Sequence, residues 1–361
     1  MKILTIAGTR PELIRLSVII EKLDGLVKHI FVYTNQNYDY NLSTRFFEDL
    51  EIRKPDYYFN HQASSFGDFY GNAVMDFERI VKKEKPDKML VLGDTNSGLL
   101  SIVAEKYKIP VYHMEAGNRC YDSRLPEETN RRIIDGVSKY NLPYTENSKQ
   151  NLLSEGFHKN FVFKTGNPIY EVLNKYEPEI KKSIMMYEWD LQDTKTDKIR
   201  DFVLVTVHRS ENVDNEQSLK SIVDAINIIA DQIKVVVSLH PRTADKLEQF
   251  HVEFSRKIFV AQPLGFFDFV SLEKAAKCVI SDSGTVQEEC CIFGVPALTI
   301  RESTERQETI ECGSNILCGT KTENIISAFN AVMLRKNKWI APDDYLVTNV
   351  SDTVINILLG K

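Results

Sequence analysis

The chain has no apolar run approaching the ~18–20 residues needed to span a bilayer. Its opening MKILTIAGTRPE loses apolar character at Thr9–Arg10 and has neither the h-region nor the cleavage site of a signal peptide, so it reads as a first buried strand. Six cysteines, at 120, 278, 290, 291, 312 and 318, include no C-x-x-C pair and read as reduced, mostly buried small hydrophobes. Positive charge is not in excess: 45 Lys and Arg against 51 Asp and Glu give a net charge of -6. That balance offers no general attraction to nucleic acid or to an anionic membrane, and any anionic ligand must be held by local basic groups. G-x-G-x-x-G and G-x-x-x-x-G-K-[ST] are missing, which argues against a nicotinamide dinucleotide site and a P-loop nucleotidase. H-E-x-x-H and the serine elbow G-x-S-x-G are missing too. His113-Met114-Glu115 matches the H-x-E of zinc deaminases, but no P-C-x-x-C follows it. Neither a metal nor a cofactor is expected, and no repeat or low-complexity tract is visible.

What is present is an alternation. At 361 residues the chain exceeds the size at which one hydrophobic core keeps growing, so two domains are expected. KILTIAG, HIFVYT, KMLVLGD and IPVYHMEAG are short apolar runs, several leading through a polar or glycine-bearing turn into a helix-like pattern. A second series starts near residue 202 with FVLVTVHR, KVVVSLHP, KIFVAQPLG, AKCVISDSG and VPALTIRE. Two series of βα units predict an α/β protein of two doubly wound, parallel-sheet domains. The Lys-, Glu- and Tyr-rich stretch from about 167 to 200 reads as a hinge region with a surface helix, and SDTVINILLGK as a short amphipathic closing helix.

The unusual polar residues fall just after predicted strands. Gly8-Thr9-Arg10, Gly93-Asp94-Thr95, Glu115-Ala116-Gly117, His208-Arg209-Ser210 and Ser281-Asp282-Ser283-Gly284 all do so, as do His240-Pro241-Arg242 and Arg301-Glu302-Ser303. Ligands of open α/β sheets sit beyond the carboxyl ends of the strands, and a cleft between two such domains is the economical site.

Each motif has a bland alternative. Arg10 beside a helix start, with Arg15 one turn on, reads equally well as a phosphate contact or as a solvated side chain. In SDSGTVQEE, small residues at a strand-to-helix turn let backbone N–H groups approach a phosphate, although Ser and Asp also cap helices. Arg301 and Arg306, one strand later, favour the ligand reading. His208, among charges at a strand end, suits acid/base work or a phosphate contact. For His240 the turn itself is explanation enough. Asp94 could be an N-cap, whereas Glu115, ending an apolar strand, should be only partly solvated. Glu127 and Glu128 fall in the first turn of a helix starting near Pro126, with i,i+4 partners in Arg131 and Arg132.

GTRPE, GDT, H-x-EAG, PEE-x-NRR, HR-x-EN, SDSG-x-x-QEE and ER-x-E, in this order, resemble the non-hydrolysing UDP-N-acetylglucosamine 2-epimerases from residue 1 to about 310. The resemblance implies two Rossmann-like domains in a GT-B arrangement, here 1–168 completed by a returning helix at 346–361, and 169–345. It also implies a cytoplasmic homodimer acting on a UDP-amino-sugar without metal or redox cofactor. In that family UDP leaves C1 as the C2 proton is removed, and a 2-acetamidoglycal is reprotonated on its other face before UDP re-adds. Matched residue by residue, the catalytic set is Asp94, Glu115, Glu127 and His208. The UDP and substrate set is Arg10, Arg15, His208, Phe269, Ser283, Gly284, Thr285, Glu289 and Arg306.

Departures from the best-known branch point to a finer expectation. Glu115 to Glu127 is two residues shorter, Thr285 replaces a glycine, and NQNYDY, VLGDTNS and EAGNRC look like the branch that forms UDP-N-acetyl-L-fucosamine. The expected substrate is then UDP-2-acetamido-2,6-dideoxy-L-talose, for capsule or O-antigen synthesis, with UDP-N-acetylglucosamine as the alternative. A GT-B glycosyltransferase and a non-catalytic UDP-sugar sensor are the rivals from other classes; three retained carboxylates argue against both.

Overall fold

Strands β1 (Lys2–Ala7), β2 (Lys28–Tyr33), β3 (Tyr57–Tyr58), β4 (Lys88–Leu92), β5 (Val111–Met114) and β6 (Tyr140–Leu142) form one parallel sheet in the order β3-β2-β1-β4-β5-β6. Strands β7 (Phe202–Thr206), β8 (Lys234–Ser238), β9 (Phe259–Ala261), β10 (Cys278–Ser281), β11 (Ala297–Thr299) and β12 (Asn315–Leu317) form a second, ordered β12-β11-β10-β7-β8-β9. Counted from each unit's own first strand, both follow the doubly wound order 3-2-1-4-5-6, whose winding reverses beside the first strand. The computed structural model describes residues 1–35, 46–61, 65–193, 195–336 and 338–360. Gln36, Asn37, Tyr38, Asp39 and Tyr40 of NQNYDY lie outside them.

Contacts divide the chain into two units, Met1–Leu173 with Asp343–Lys361, and Asn174–Pro342. The strands are apolar on both faces because each sheet is covered on both sides. In the second unit Val203 and Val205 join one buried cluster with Ile222, Ile226 and Phe329, while Phe202 and Leu204 join another with Leu272, Val279 and Val286. In the first, Leu4, Ile6, Met89 and Val91 pack with Phe77, Val103 and Ile134.

Helix boundaries follow local chemistry. Thr9 and Glu12 form a capping box at the start of the helix Arg10–Leu26, with Pro11 in its first turn. Pro126 opens the helix Pro126–Val137. The closing helix Val350–Leu359 belongs to the first unit and packs on Arg10–Leu26. Lys22 Nζ reaches Ser351 Oγ at 2.7 Å and Asp352 Oδ1 at 2.6 Å, and Ser351 N–H donates to Glu171 at 2.8 Å. Lys88 Nζ donates to the carbonyls of Leu358 and Gly360, both at 2.6 Å.

The stretch from about 167 to 200, expected as a hinge region with a surface helix, contains the division between the units, at Leu173 and Asn174. It holds the short helices Ile169–Lys175, Glu177–Ile180 and Met185–Glu188, and Met186 and Leu191 are buried in the second unit's core. Charged neighbours hid these apolar anchors. No helix among the described residues is long and apolar enough to cross a membrane.

Candidate active site

In the first unit the turn after β1 is built around Glu12. Its Oε2 accepts from the N–H groups of Gly8 (2.8 Å) and Thr9 (2.7 Å) and from the Thr9 hydroxyl (2.8 Å), and its Oε1 accepts from the Thr95 hydroxyl at 2.9 Å. Burial pushes this carboxyl up to about 7 despite those donors. One side chain thereby ties the turn carrying Arg10 to the turn carrying Asp94. Arg10 is half-buried, its guanidinium 5.4 Å from the centroid of the Phe46 ring.

Arg15 is buried, and its Nη1 lies 2.6 Å from Glu115 Oε2. The Glu115 side chain is 11% exposed, so the shielding expected from the sequence comes with a counter-charge from another element. Glu115 has φ 66°, a left-handed conformation that is strained for a residue with a side chain. The surroundings enforce it. His113 Nδ1 stands 2.8 Å from Asp135 Oδ1 and its Nε2 stands 2.9 Å from the Gly93 carbonyl, with both side chains fully buried. Burial raises the Asp135 pKa, but the His113 hydrogen bond and the charges of His113 and Arg119 outweigh it and hold the carboxyl below its usual range. The other Asp135 oxygen takes the Gly117 N–H at 3.2 Å and Arg119 Nη2 at 2.8 Å. Asn118 Nδ2 donates to Glu115 Oε1 at 3.2 Å.

β4 and β5 are paired at Leu92 and Met114, so their ends are adjacent. A Cβ built on Gly93 would lie 3.7 Å from Glu115 Oε2, which places that carboxylate beside the residue preceding Asp94. The N-cap alternative for Asp94 is set aside, because Ser97, not Asp94, occupies the N-cap position of the next helical turn, Gly98–Leu100. Asp94 Oδ2 instead receives Arg131 Nη2 at 2.6 Å and Nε at 3.1 Å. Arg131 Nη1 goes to Glu128 Oε2 at 2.7 Å.

The expected Glu127–Arg131 pair is therefore corrected: Asp94 and Glu128 occupy Arg131. Glu127 is half-buried and has no hydrogen-bond or ion-pair partner among the described residues. Glu128 does the structural work, taking Arg131, Arg132 at 3.3 Å and the Cys120 N–H at 3.1 Å. Burial raises its pKa, but the Cys120 N–H and the Arg131 charge bring it below the usual range.

In the second unit the ends of β7 and β10 are joined by Asp282, which is fully buried. It accepts from the N–H groups of His208 (3.1 Å) and Arg209 (3.0 Å) and from Asn212 Nδ2 (3.0 Å), and its Oδ1 lies 3.2 Å from His208 Nδ1. The His208 ring is thus oriented by a buried carboxylate while its side chain stays 37% exposed. His240 lies 5.7 Å away, ring centroid to ring centroid, and its Nδ1 accepts from Arg242 N–H at 3.2 Å as a helix cap.

Ser283 occupies the N-cap of the helix Gly284–Phe293, but its hydroxyl pairs with the Thr285 hydroxyl at 2.8 Å and takes no backbone N–H of the first turn. Gly284 is needed for close approach: a Cβ there would lie 3.0 Å from Glu305 Oε1 and 3.7 Å from Arg306 Nη2. Arg306 is buried, with Nε 2.5 Å from Glu288 Oε1 and Nη1 3.5 Å from Glu305 Oε1. Glu289 is also buried. Phe269 packs against the cluster containing Leu272 and Val279. Among the described residues no group of three His, Cys, Asp or Glu is disposed to hold a metal ion.

The structure gathers Arg15, Asp94 and Glu115 at neighbouring strand ends of one unit, and His208, Ser283, Gly284 and Thr285 at those of the other. Sequence reasoning passed over Glu12, Asp135 and Glu273, and it read Asp282 only as part of the SDSG turn. Glu12 was legible as the T-x-x-E capping box, and Glu273 as a lone acid on the apolar face of FFDFVSLEKA.

A family model described as UDP-N-acetylglucosamine 2-epimerase matches residues 21–359. The UDP-N-acetylglucosamine 2-epimerase of Methanocaldococcus jannaschii is 40% identical over 353 residues, covering 95% of each chain. A crystal structure of that organism's UDP-GlcNAc 2-epimerase, in complex with UDP-GlcNAc and UDP, aligns with a TM-score of 0.92 at 38% identity over 99% of each chain. The UDP-2,3-diacetamido-2,3-dideoxy-D-glucuronate 2-epimerase of Pseudomonas aeruginosa is 35% identical over 91% of each chain.

Proposed function

Since the chain belongs to the UDP-N-acetylglucosamine 2-epimerase family, whose members are non-hydrolysing isomerases, we propose that it interconverts UDP-N-acetylglucosamine and UDP-N-acetylmannosamine. The observation that carries the reading is the pair of adjacent strand ends at β4 and β5, which bring Asp94 and Glu115 together, each with its own buried arginine. Inversion at C2 needs one group to remove a proton and another to return it on the opposite face. Asp94, Glu115 and the unpartnered Glu127 supply those groups. The C1–O bond breaks as the C2 proton leaves, giving UDP and a 2-acetamidoglycal. Protonation at C2 and re-addition of UDP at C1 complete the reaction. Charge developing on the departing diphosphate calls for fixed donors. His208, oriented by Asp282, and the first-turn N–H groups of the helix Gly284–Phe293 fill that role, with Arg10. Glu289 accepts hydrogen bonds from the ribose hydroxyls.

The choice of sugar departs from the finer expectation. Relatives at up to 40% identity bear the UDP-N-acetylglucosamine name, and the segment that suggested a fucosamine branch is occupied with holding the fold. Asn118 accepts from Ser148 Oγ at 2.7 Å, Arg119 pairs with Asp135 and Glu155, and Cys120 bonds Glu128. Residues so engaged are poor reporters of substrate.

Incubation in deuterated water tests the proposal. With UDP-N-acetylglucosamine, NMR is expected to show deuterium at C2 and the manno epimer. Incorporation only with UDP-2-acetamido-2,6-dideoxy-L-talose would return the fucosamine reading, and no incorporation with either would remove both.

A further inference from the structure

All six cysteines are free, and two of them meet. Cys291 Sγ lies 3.6 Å from Cys312 Sγ, 21 residues away in the chain. Cys291 is 1% exposed, near the end of the helix Gly284–Phe293. Cys312 is half-buried at the C-cap of the helix Gln307–Glu311, between the exposed residues Glu311 and Gly313. A small reagent arriving from solvent therefore meets Cys312 first, with Cys291 directly behind it. Cys312 Sγ also lies 3.4 Å from Ser314 Oγ and 3.5 Å from the Thr309 carbonyl. The hydrogen bond from Cys291 pulls the Cys312 thiol down to about 6 against the opposing effect of burial, in keeping with Cys312 as the reactive sulfur. Cys120, the other half-buried cysteine, faces Glu128 at 3.2 Å instead. No step of the epimerisation uses either thiol of the pair.

The pair joins two pieces of the nucleotide site. Cys291 stands about one helical turn beyond Glu288, whose Oε1 holds Arg306 Nε at 2.5 Å. Arg306 is the N-cap of Gln307–Glu311, the five-residue helix that Cys312 closes. An ion pair thus fastens the two helices at the arginine end, and sulfur touches sulfur at the other. The backbone of Cys291 is fixed within its helix, and its carbonyl accepts the Trp339 indole N–H at 2.9 Å. Behind Cys312 stands Gly313, with φ 85° and no side chain to pack, so that side is the one free to move. A disulfide sets its sulfurs about 2.05 Å apart, so bond formation draws Cys312 inward by about 1.5 Å. A helix of five residues passes such a shift to its other end. Arg306 is buried there, and a Cβ built on Gly284 would lie 3.7 Å from its Nη2, so the shift reaches the first turn of the nucleotide helix.

We propose that Cys291 and Cys312 form a modification site at which a hydroperoxide makes a disulfide, displacing Arg306 and weakening UDP binding. The weakening rests on the reading of Arg306 and the Gly284 turn as UDP contacts. The Cys312 thiolate attacks one peroxide oxygen and the O–O bond breaks. The departing oxygen takes up the proton that the thiol released, and Cys312 becomes a sulfenic acid. The Cys291 sulfur then attacks the Cys312 sulfur, and the sulfenic hydroxyl leaves as water with the Cys291 proton. In all, two thiols lose two electrons and two protons, and the hydroperoxide is reduced by them. A dithiol reductant reverses the change.

The test uses the full chain, reduced or treated with hydrogen peroxide. Each sample is digested without reductant for peptide mapping by mass spectrometry, and its UDP affinity is measured by calorimetry. Oxidised wild type is expected to show the Cys291–Cys312 cross-link and to bind UDP roughly tenfold more weakly, with dithiothreitol restoring both. Cys312→Ser is expected to melt and to bind UDP as reduced wild type does, with no loss on peroxide treatment. Cys291→Ser, checked for folding by thermal melt, leaves Cys312 without its resolving thiol, and dimedone should then trap the sulfenic acid. Treated wild type without the cross-link, a cross-link that leaves UDP affinity unchanged, or a loss of affinity kept in Cys312→Ser would each overturn the inference while the UDP site stands. Reduced wild type that does not bind UDP would overturn the nucleotide reading and this inference with it, whatever the peptide map shows.

Discussion

Glu115 combines a backbone that glycine would adopt more readily with a carboxylate 2.6 Å from a buried arginine. Glu115→Gln keeps the shape while removing the charge, and its single amide oxygen leaves an N–H₂ facing either Arg15 or Asn118. Turnover is expected to fall by ~10²–10⁴ with the cooperative melt retained at a somewhat lower temperature; steady-state epimerisation and a thermal melt measure both, and unchanged turnover would remove Glu115 from proton transfer. Asp282→Asn turns an amide N–H₂ toward donors that need an acceptor. It is expected to cost about 1–3 kcal/mol of stability in urea denaturation and to lower kcat through a disoriented His208. The acids themselves were legible because they interrupt apolar strands just where open α/β sheets bind ligands. Their partners were not: Arg131 stands four residues after Glu127, the helical spacing for a pair, yet turns to Asp94, 37 residues away in the chain. Local spacing proposes a pair, and tertiary contact disposes of it.

At the scale of elements, Glu12 makes the capping box of Arg10–Leu26 sensitive to pH. Its folded carboxyl titrates at about 7 against 4.5 for the free group, so the folded chain holds this proton more tightly than the unfolded chain. The contribution is full below the unfolded value and is lost as pH rises through the folded one, about 3 kcal/mol in all. Glu12→Gln retains an oxygen for Gly8 and Thr9 and offers N–H₂ to Thr95. Its urea stability should therefore fall less than wild type's between about pH 5 and pH 8; parallel curves would count against a proton on Glu12. Helix starts were readable from such caps and from Pro11 and Pro126. β3, β6 and β12, of two or three residues each, were not, since unlike the equally short β9 and β11 they stand in no longer apolar run.

For the molecule as a whole, the paired series of strands and helices was visible in the chain, and the units divide at Leu173 and Asn174 inside the stretch read as the hinge, whose apolar anchors Met186 and Leu191 were not foreseen. Each unit has its own buried clusters. UDP at a hundredfold excess over its Kd is expected to stabilise the folded state by about 2.7 kcal/mol. In calorimetry the transition associated with the second unit should then move up first; a shift confined to the other transition would misplace the nucleotide site. The helix Val350–Leu359 has a consequence for biosynthesis. The second unit is a continuous segment, Asn174–Pro342, whereas the first includes Asp343 onward. On the ribosome the second can complete itself while the nascent first unit still lacks the helix that Lys22 and Lys88 hold. The half of the protein that is translated first is the half that finishes folding last.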